Sequence, residues 1–475
     1  MLHIPQNPAG YPLSALYTVF VGGQNVPVRR CRVSAFPINR LWPGHQRTLD
    51  QTEEAAFASF DFDGEVTLRI ISARPFSSVA VKPLSRGVVP TVQDGVISFT
   101  LRQPGQYTVE LDGQHHALHL FTAAPREYDL SGDNVLYFGP GIHDVGLLDL
   151  EDDQTVYIDD GAVVYGAIRA FEKKNVRVLG RGILDNSRLE RFDDFKIYPI
   201  NNKVPVCSSM FFYCCENITI SGPICMDAST WSIKTFGCTH VLVEDVKLIG
   251  FWRYNADGID FCNCQDVELR NSFLRCFDDC IVIKGYQPCD VQPNDNIRIS
   301  RCVVWCDWGS ALEFGAETYA DSFTNISFRD IDVIRASGVA MRVQNCDRAD
   351  ISNVLYEDIR VEYDPSGELT PLYQSEPDMV YTNKNPGYLP PLMYTCINPT
   401  IYTHDENRGK IHDILYRNIS VTAPAMPPSS FSGFDKDHQT SGVRIENLTL
   451  NGKPVTTLED ANVTIGDYAS DIVII

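Results

Sequence analysis

The stretch HVLVEDVKLIG, residues 240–250, contains two short runs of alternating apolar and polar residues on either side of a turn. Alternation with a period of two is typical of a β-strand. Similar phrases recur along the chain, and six of them begin at residues 217, 240, 266, 296, 325 and 350. The steps between these starts are 23, 26, 30, 29 and 25 residues. A period in the twenties, built from short strands and tight turns, predicts a solenoid of stacked coils.

We expect this solenoid to be a right-handed parallel β-helix that occupies residues 126–475. Leucine-rich repeats have a similar period, but the fixed leucine spacing that they require is missing. Residues 363–412 are rich in proline and tyrosine, and this segment is too long for a simple turn. We expect them to form a loop over one face of the helix.

Residues 1–125 have a different pattern, in which short alternating segments such as EVTLRIISA (65–73) and QYTVELDG (106–113) are separated by turn residues. This pattern predicts an antiparallel β-sandwich domain. The stretch TAAPREYDL, residues 122–130, is consistent with a linker. The chain is therefore predicted to be all-β, with an N-terminal antiparallel β-sandwich followed by a right-handed parallel β-helix.

Composition and charge restrict the possible partners. Hydrophobic residues make up 44% of the 475 residues, which is enough to bury a large core. The net charge is −21 and no long cluster of lysine and arginine is present, so we expect neither nucleic acid nor an anionic membrane surface as a partner. No stretch approaches the roughly 18 apolar residues of a membrane span.

The fifteen cysteines are odd in number, and many of them fall inside strand-like runs. Free buried cysteines behave as small hydrophobic residues, so we expect reduced thiols and a cytoplasmic protein. The first residues, MLHIPQNPAGYPLS, have neither the basic start nor the apolar run of a signal peptide. The alternative is a secreted protein from which a leader has been removed.

Three carboxylates interrupt two apolar, strand-like phrases, YNADGIDFCN (254–263) and RCFDDCIVIKG (275–285). Asp257 lies 21 residues before Asp278, which is followed by Asp279. In a stacked solenoid, positions one coil apart lie about 5 Å apart on the same face. We therefore expect the three acids to converge on one external patch.

Like charges at such short range raise at least one pKa, which places a protonated acid beside an ionised base. Inverting glycoside hydrolysis requires such a pair, with the carboxyl groups about 6.5–9.5 Å apart so that a water molecule fits between them. The alternative interpretation is that the acids only form turns, where aspartate and asparagine are common.

These phrases and their spacing resemble those of the polygalacturonase family, glycoside hydrolase family 28, and of the related dextranase and isopullulanase family, family 49. The resemblance covers residues 175–350 well and the rest of the chain only in architecture. The motif NADGID begins with Asn255 and contains Asp257, and the motif FDDCIVIKG contains Asp278 and Asp279.

The resemblance implies an enzyme that hydrolyses O-glycosyl bonds with inversion of configuration. It implies that Asp278 is the general acid and that Asp257 and Asp279 activate the water. It implies a carbohydrate substrate, and no cofactor and no metal ion.

Two departures from the polygalacturonase pattern concern the substrate. The stretch WGSALEFGAE has Ser310 where that family has the histidine of Gly-His-Gly. The stretch MRVQN keeps Arg342 but has Gln344 where that family has the lysine of Arg-Ile-Lys. In polygalacturonases those basic groups help to hold the substrate carboxylate, so the loss of a cation weakens recognition of an anionic sugar.

Other features resemble the dextranase family, namely the pattern VVW…SALEFG and the sandwich placed before the helix. The net charge of −21 also provides no attraction for a polyanion. We therefore expect a neutral or weakly acidic glycan rather than polygalacturonate. The alternative within this family is a hydrolase of galacturonan-type pectin fragments.

Several residues near the acids are candidates for substrate binding. Aromatic rings stack on sugar faces, but in solenoids they also pack in the core. The aromatic candidates are Trp231, Trp252, Tyr254 and Trp308, of which Trp308 is favoured by its position beside Ser310.

The polar candidates for substrate binding each have an ordinary structural alternative. Glu313 alternates with Leu312 and Phe314, so it should point away from them towards the substrate; otherwise it is a solvated strand acid. Lys284 either contacts the substrate, tunes Asp278 or is a surface lysine. The remaining polar candidates are Asn255, Ser310, Arg342 and Gln344. The tyrosines of PLMYTCINPTIYTH, residues 391–404, and His404 at its end are candidates for capping the cleft.

Two other functions remain open on the same fold. A polysaccharide lyase or epimerase would bind Ca²⁺ through an acid cluster and would need an arginine or lysine base near the metal. A glycan-binding solenoid would use the aspartates only as turn formers. The cysteines lack the paired C-x-x-C spacing of a zinc site, so the sequence does not favour a metal.

Overall fold

The structure is a computed structural model that describes residues 1–36, 39–41, 49–132, 134–189, 208–286, 292–363, 372–374 and 389–475. Within these ranges it contains 44 β-strands, numbered here in chain order, and two short 3₁₀ helices, Leu49–Gln51 and Leu84–Arg86. The predicted all-β architecture, with antiparallel N-terminal sheets before a right-handed parallel β-helix, is confirmed.

The N-terminal region contains two facing sheets. The first consists of β1 (Leu2–His3), β4 (Arg29–Ser34), β6 (Thr52–Phe62), β8 (Val79–Lys82), β11 (Gln106–Leu111) and β12 (Leu118–Ala123). The second consists of β2 (Tyr17–Val21), β3 (Gln24–Val26), β7 (Val66–Ser72), β9 (Thr91–Gln93) and β10 (Val96–Leu101). All of these pairings are antiparallel except that of β6 with β12, which run parallel.

The alternation in the sequence determines which side chains fill the space between these sheets. In β7, Val66, Leu68 and Ile70 are buried, whereas Thr67 and Arg69 are exposed. The buried set packs with residues of the facing sheet into one apolar cluster. Apolar burial of this kind contributes about 25 cal/mol for each Å² removed from water.

The second region is a single sheet of 31 strands that coils into three parallel faces. The first face contains β13 (Val135–Phe138), β15 (Thr155–Ile158), β17 (Lys174–Gly180), β20 (Glu216–Ser221), β23 (Thr239–Glu244), β26 (Gln265–Arg270), β29 (Asn294–Ser300), the first parts of β32 (Ser322–Ala336) and β34 (Asp350–Glu362), β37 (Lys410–Arg417), β40 (Thr440–Glu446) and β44 (Ala469–Ile474).

The second face contains the first parts of β14 (Gly141–Asp149) and β16 (Ala162–Phe171), then β18 (Ile183–Asp185), β21 (Ile224–Met226), β24 (Lys247–Ile249), β27 (Phe273–Cys276), β30 (Val303–Cys306), the ends of β32 and β34, β38 (Ser420–Thr422) and β41 (Leu448–Leu450), with β42 (Lys453–Val455) antiparallel to β41.

The third face contains the ends of β14 and β16, then β19 (Met210–Tyr213), β22 (Ile233–Phe236), β25 (Ile259–Cys262), β28 (Ile281–Gly285), β31 (Leu312–Thr318), β33 (Met341–Asn345), β36 (Met393–Ile397), β39 (Ser429–Phe431) and β43 (Val463–Ile465). Outside the helix, β5 (Asn39–Leu41) pairs with β35 (Leu372–Gln374).

The residues that begin the repeated phrases explain why the chain coils at these points. Asn217, His240, Asp266, Asn296 and Asn325 all have a positive φ, between 54° and 58°. Asparagine and aspartate tolerate this left-handed conformation better than most other residues, because their short polar side chains bond locally to the backbone. These five coils therefore enter the first face through residues that adopt the bend.

The segment predicted as one loop, residues 363–412, differs from that prediction. It contains β36, which pairs with β33 and continues the third face. Met393 and Thr395 of β36 are buried, so this strand supplies core side chains as its neighbours do. Residues 364–371 and 375–388 lie outside the described ranges.

The β-sandwich packs against the second face of the helix. The rings of Phe121 from the sandwich and Phe273 from the helix lie 5.1 Å apart, within an apolar cluster that both regions share. At the edge of this cluster, Arg335 donates two hydrogen bonds to Glu110, at 2.9 and 2.8 Å. The sandwich covers the second face of the helix and leaves the third face uncovered.

Thirteen cysteines lie within the described part of the chain, and all of them are free thiols. Twelve of these are buried, and only Cys214 is exposed. In the described part of the chain, no helix is long and apolar enough to cross a membrane.

Candidate active site

The three acids of the two sequence phrases lie in the turns that lead into neighbouring strands of the third face. Asp257 precedes β25, and Asp278 and Asp279 precede β28. The Gly258 N–H donates a hydrogen bond to the Asp279 carbonyl at 2.8 Å, so the two turns lie in register one coil apart. The 21-residue spacing therefore brings the acids together.

All three acids line one cavity of about 430 Å³ on the third face. The other predicted residues on its wall are Asn255, Lys284, Trp308, Glu313, Arg342, Gln344 and Trp231. The ring of Trp308 stacks on that of Phe277 at a centroid distance of 6.0 Å, which fixes its orientation next to Asp278.

Four other residues that the sequence suggested lie outside the lining of this cavity. Ser310 is fully buried, and it contacts Asp279 through its backbone N–H instead of its hydroxyl. Tyr254 is buried. Trp252 donates from Nε1 to Asp227 at 3.0 Å. His404 packs its ring against Tyr286.

The strand ladder explains which side chains reach the cavity. Asp260, Val282, Glu313, Arg342 and Tyr394 are successive register partners across β25, β28, β31, β33 and β36. Because side chains alternate across a strand, this row points away from the interior of the coil. The residues on either side of Glu313, Leu312 and Phe314, pack in the core as the alternation indicates.

Asp257 and Lys284 form a buried ion pair. Lys284 Nζ lies 3.1 Å from Asp257 Oδ2 and 3.0 Å from Asp260 Oδ1. Burial raises the pKa of Asp257 above its usual range, and the Lys284 ammonium opposes this shift. Burial likewise raises the pKa of Asp260, to about 6. Both carboxyl groups therefore depend on one ammonium group for charge compensation.

Asp279 and Glu313 form a second group of close acids. The Ser310 N–H donates to Asp279 Oδ1 at 2.7 Å. Burial, and then the neighbouring charge of Asp279, raise the pKa of Glu313 well above its usual range, while Arg342 opposes the shift. Arg342 Nη1 lies 3.6 Å from Glu313 Oε1. Two adjacent carboxyl groups with one raised pKa can hold a proton between them.

The sequence did not indicate Asp260 or Glu317, whereas Tyr394 and Tyr402 are tyrosines of the segment expected to cap the cleft, and both line the cavity. Asp260 alternates with two buried residues, Ile259 and Phe261, which is the signal that identified Glu313. Glu317 lines the cavity without such a signal. Glu317 lies within a shift in the register between β28 and β31, which falls between Phe314 and Thr318.

The charges on the cavity wall are mostly negative. Five carboxyl groups line it, those of Asp257, Asp278, Asp279, Glu313 and Glu317, against the two cations Lys284 and Arg342. Each of these cations contacts a carboxylate of the site. The described residues include no group of three or more His, Cys, Asp or Glu side chains arranged to hold a metal ion. The arrangement provides carboxyl groups that can donate and accept protons on the wall of one cavity.

Comparison with known proteins shows what kind of domain contains this cavity. Residues 167–365, which include all three acids, match the family model for glycosyl hydrolases family 28. The protein is therefore a glycoside hydrolase, and the resemblance to the clan of polygalacturonases and dextranases is confirmed.

Two solved structures are similar in fold to this chain over more than the matched residues. Dex49A from Penicillium minioluteum is 14% identical, with a TM-score of 0.65, over 98% of this chain and 96% of that one. A hyperthermoactive exopolygalacturonase from Thermotoga maritima is also 14% identical, with a TM-score of 0.52, over 72% of this chain and 84% of that one. At such identities the likeness establishes the fold alone.

Proposed function

We propose that this glycoside hydrolase inverts the anomeric configuration of its substrate, with Asp278 as general acid and Asp257 and Asp279 activating the water. The observation that carries the proposal is the convergence of these three acids on one cavity of the third face. An inverting hydrolase needs one carboxyl group to protonate the leaving oxygen and another to take a proton from the attacking water.

The contacts of the acids support this division of roles. Asp257 accepts a hydrogen bond from Lys284, and Asp279 accepts one from the Ser310 N–H. These donors stabilise the charged carboxylates, as a general base requires. The raised pKa of Asp257 also makes it a stronger base once it is ionised. We assign to Asp278, which lines the same cavity, the transfer of a proton to the leaving oxygen.

We further propose that the substrate is a neutral or weakly acidic glycan. The cavity wall has five carboxyl groups and two cations, and both cations contact carboxylates. A polyanion such as polygalacturonate would meet net repulsion there. A neutral sugar would instead bind through its hydroxyl groups and through stacking on Trp308 or Trp231.

The test is digestion of a panel containing dextran, pullulan and polygalacturonate, with sizing of the products and NMR assignment of the first anomer released. We expect cleavage of a neutral glycan to a saturated product of inverted configuration. Preferred cleavage of polygalacturonate would contradict the substrate proposal, and retained configuration would contradict the mechanism. An unsaturated product whose formation stops with a chelator would indicate a lyase, and binding without cleavage would indicate a glycan-binding solenoid.

A further inference from the structure

Lys284 is held at the centre of a buried group at one side of the cavity. Its Nζ lies 3.1 Å from Asp257 Oδ2, 3.0 Å from Asp260 Oδ1 and 3.6 Å from the centre of the Trp231 ring. None of these four residues is more than 6% exposed. The two carboxylates and the aromatic face compensate the charge of the ammonium group and so offset part of the cost of its burial.

The strand ladder fixes the position of this ammonium group. Lys284 is the register partner of Cys262 on the neighbouring strand β25, and Asp260 lies two residues earlier on that same strand. Asp260 is in turn the register partner of Lys234 on β22. The side chains of Lys284 and Asp260 thus project from adjacent rungs of a rigid sheet, and Asp257 approaches from the turn before β25.

After Lys284, the charged groups with the largest effects on Asp257 are negative. They are those of Asp260, Asp278 and Asp279, and Lys284 is the cation among the groups that act on it. Lys284 in turn faces Glu317 and Asp279 in addition to its two ion-pair partners. Loss of the Lys284 ammonium would leave Asp257 buried and surrounded by like charges.

We propose that Lys284 is a positioning residue, which keeps Asp257 ionised and oriented towards the attacking water, with Asp260 as the second anchor of its ammonium group. This inference rests on the proposed function, in which Asp257 is a base. Lys284 takes no proton from the substrate or from the water. Its positive charge stabilises the carboxylate form of Asp257, and the contact with Asp260 stops the ammonium group from moving away.

Lys284 and Asp260 have opposite effects on the ionisation of Asp257. A charge within a few ångströms shifts a carboxyl pKa by about 1–3 units. In Lys284→Met the acidic limb of the kcat/KM profile should move to higher pH by at least about one unit. In Asp260→Asn the amide oxygen still accepts a hydrogen bond from the ammonium group, but a competing negative charge is removed, so the limb should move to lower pH. Loss of folded structure would not produce shifts in opposite directions.

The experiment measures kcat/KM against pH, on the glycan that the panel identifies, for the full chain and both variants. Lys247→Met is the matched control, because Lys247 is also buried and ion-paired, with Asp245 at 2.7 Å, but lies on the second face away from the cavity. Its profile should match that of the unmodified chain. Should Lys284→Met fail to fold, Lys284→Met/Asp260→Asn removes one charge of each sign and should still move the limb to higher pH.

Opposite shifts in the two single variants would support the proposal. Unchanged profiles, or shifts in the same direction, would overturn it. Asp257→Asn separates this inference from the function on which it rests. If Asp257→Asn is inactive while the other profiles are unchanged, only the role of Lys284 fails. If Asp257→Asn retains full turnover, the role proposed for Asp257 fails, and the inference fails with it.

Discussion

The Ser310 N–H donates a hydrogen bond of 2.7 Å to Asp279 Oδ1, from the turn one coil further along the chain. This contact holds a carboxyl group of the cavity by means of the backbone. It also requires the two turns to approach closely. A Cβ atom at Gly309, next to Ser310, would lie 2.4 Å from Asp279 Oδ1 and 2.6 Å from Asp279 N.

Gly309→Ala should therefore displace Asp279. A misplacement of about 1 Å at a catalytic group can cost about a hundredfold in rate, and we expect a loss of kcat of that order. The measurement is steady-state hydrolysis of the glycan that the panel identifies. Gly132→Ala is the control, because a Cβ atom there meets no heavy atom within 4 Å. Equal activity in the two variants would contradict the importance of this contact.

Asp278→Asn should nearly abolish turnover without unfolding the protein. Loss of a general acid costs about 10²–10⁴-fold in rate, and asparagine has almost the same size as aspartate. The measurements are kcat and the melting temperature. Asp437→Asn, at a side chain that is 71% exposed and outside the cavity lining, should change neither. Substantial turnover by Asp278→Asn would show that Asp278 is not the acid.

Arg335→Met should destabilise the junction between the sandwich and the helix. Arg335 and Glu110 are both about 96% buried or more, and removal of one partner leaves a buried charge without compensation. Breaking such a pair costs about 3–5 kcal/mol in the free energy of unfolding, measured in urea. Asp149→Asn breaks the ion pair with Arg169 at a side chain that is 55% exposed, and should cost about 1 kcal/mol or less. Similar losses in both variants would be unexpected.

Asp227→Asn should change how stability depends on pH. Burial raises the pKa of Asp227 from 3.8 to about 6 in the folded protein, against the opposing charge of Arg253. Between pH 4 and pH 6 the folded state thus binds this proton more tightly than the unfolded state. The contribution of Asp227 to stability then falls as the pH rises through that window, by about 3 kcal/mol for about two pKa units.

The check on this prediction is urea unfolding of both proteins at several pH values. Asparagine does not titrate, so Asp227→Asn should gain stability relative to the unmodified chain from pH 4 to pH 7. Above pH 7 the difference in the free energy of unfolding between the two proteins should be constant. Parallel pH profiles for the two proteins would show that Asp227 does not take up a proton when the chain folds.

The coil period was predictable because the bends depend on residues whose own side chains favour a positive φ. The repeated phrases begin with residues such as Asn217 and Asp266, which have a positive φ in the structure. The proximity of Asp257 to Asp278 and Asp279 followed from that period, since separations of 21 and 22 residues correspond to one short coil. The alternation around Glu313 similarly indicated which side of β31 reaches the cavity.

Other features of the site were not predictable from the chain. Ser310 was proposed as a substrate-binding side chain, but it contacts Asp279 through its N–H, as backbone geometry decides. Glu317 reaches the cavity after a shift in strand register. The packing of the sandwich on the second face was also not apparent, because residues such as Phe273 there have the same apolar pattern as residues inside the coil.

The sequence by itself determined the coil, its bends and the rungs that carry the acids, because these depend on the preferences of a few neighbouring residues. Only the tertiary structure decided that Lys284 lies between Asp257 and Asp260, and that Arg342 lies beside Glu313. Such contacts depend on the length and conformation of every turn between the rungs. If one residue were added to a turn and the following strand shifted its register by one position, each of these side chains would move to the opposite side of its strand.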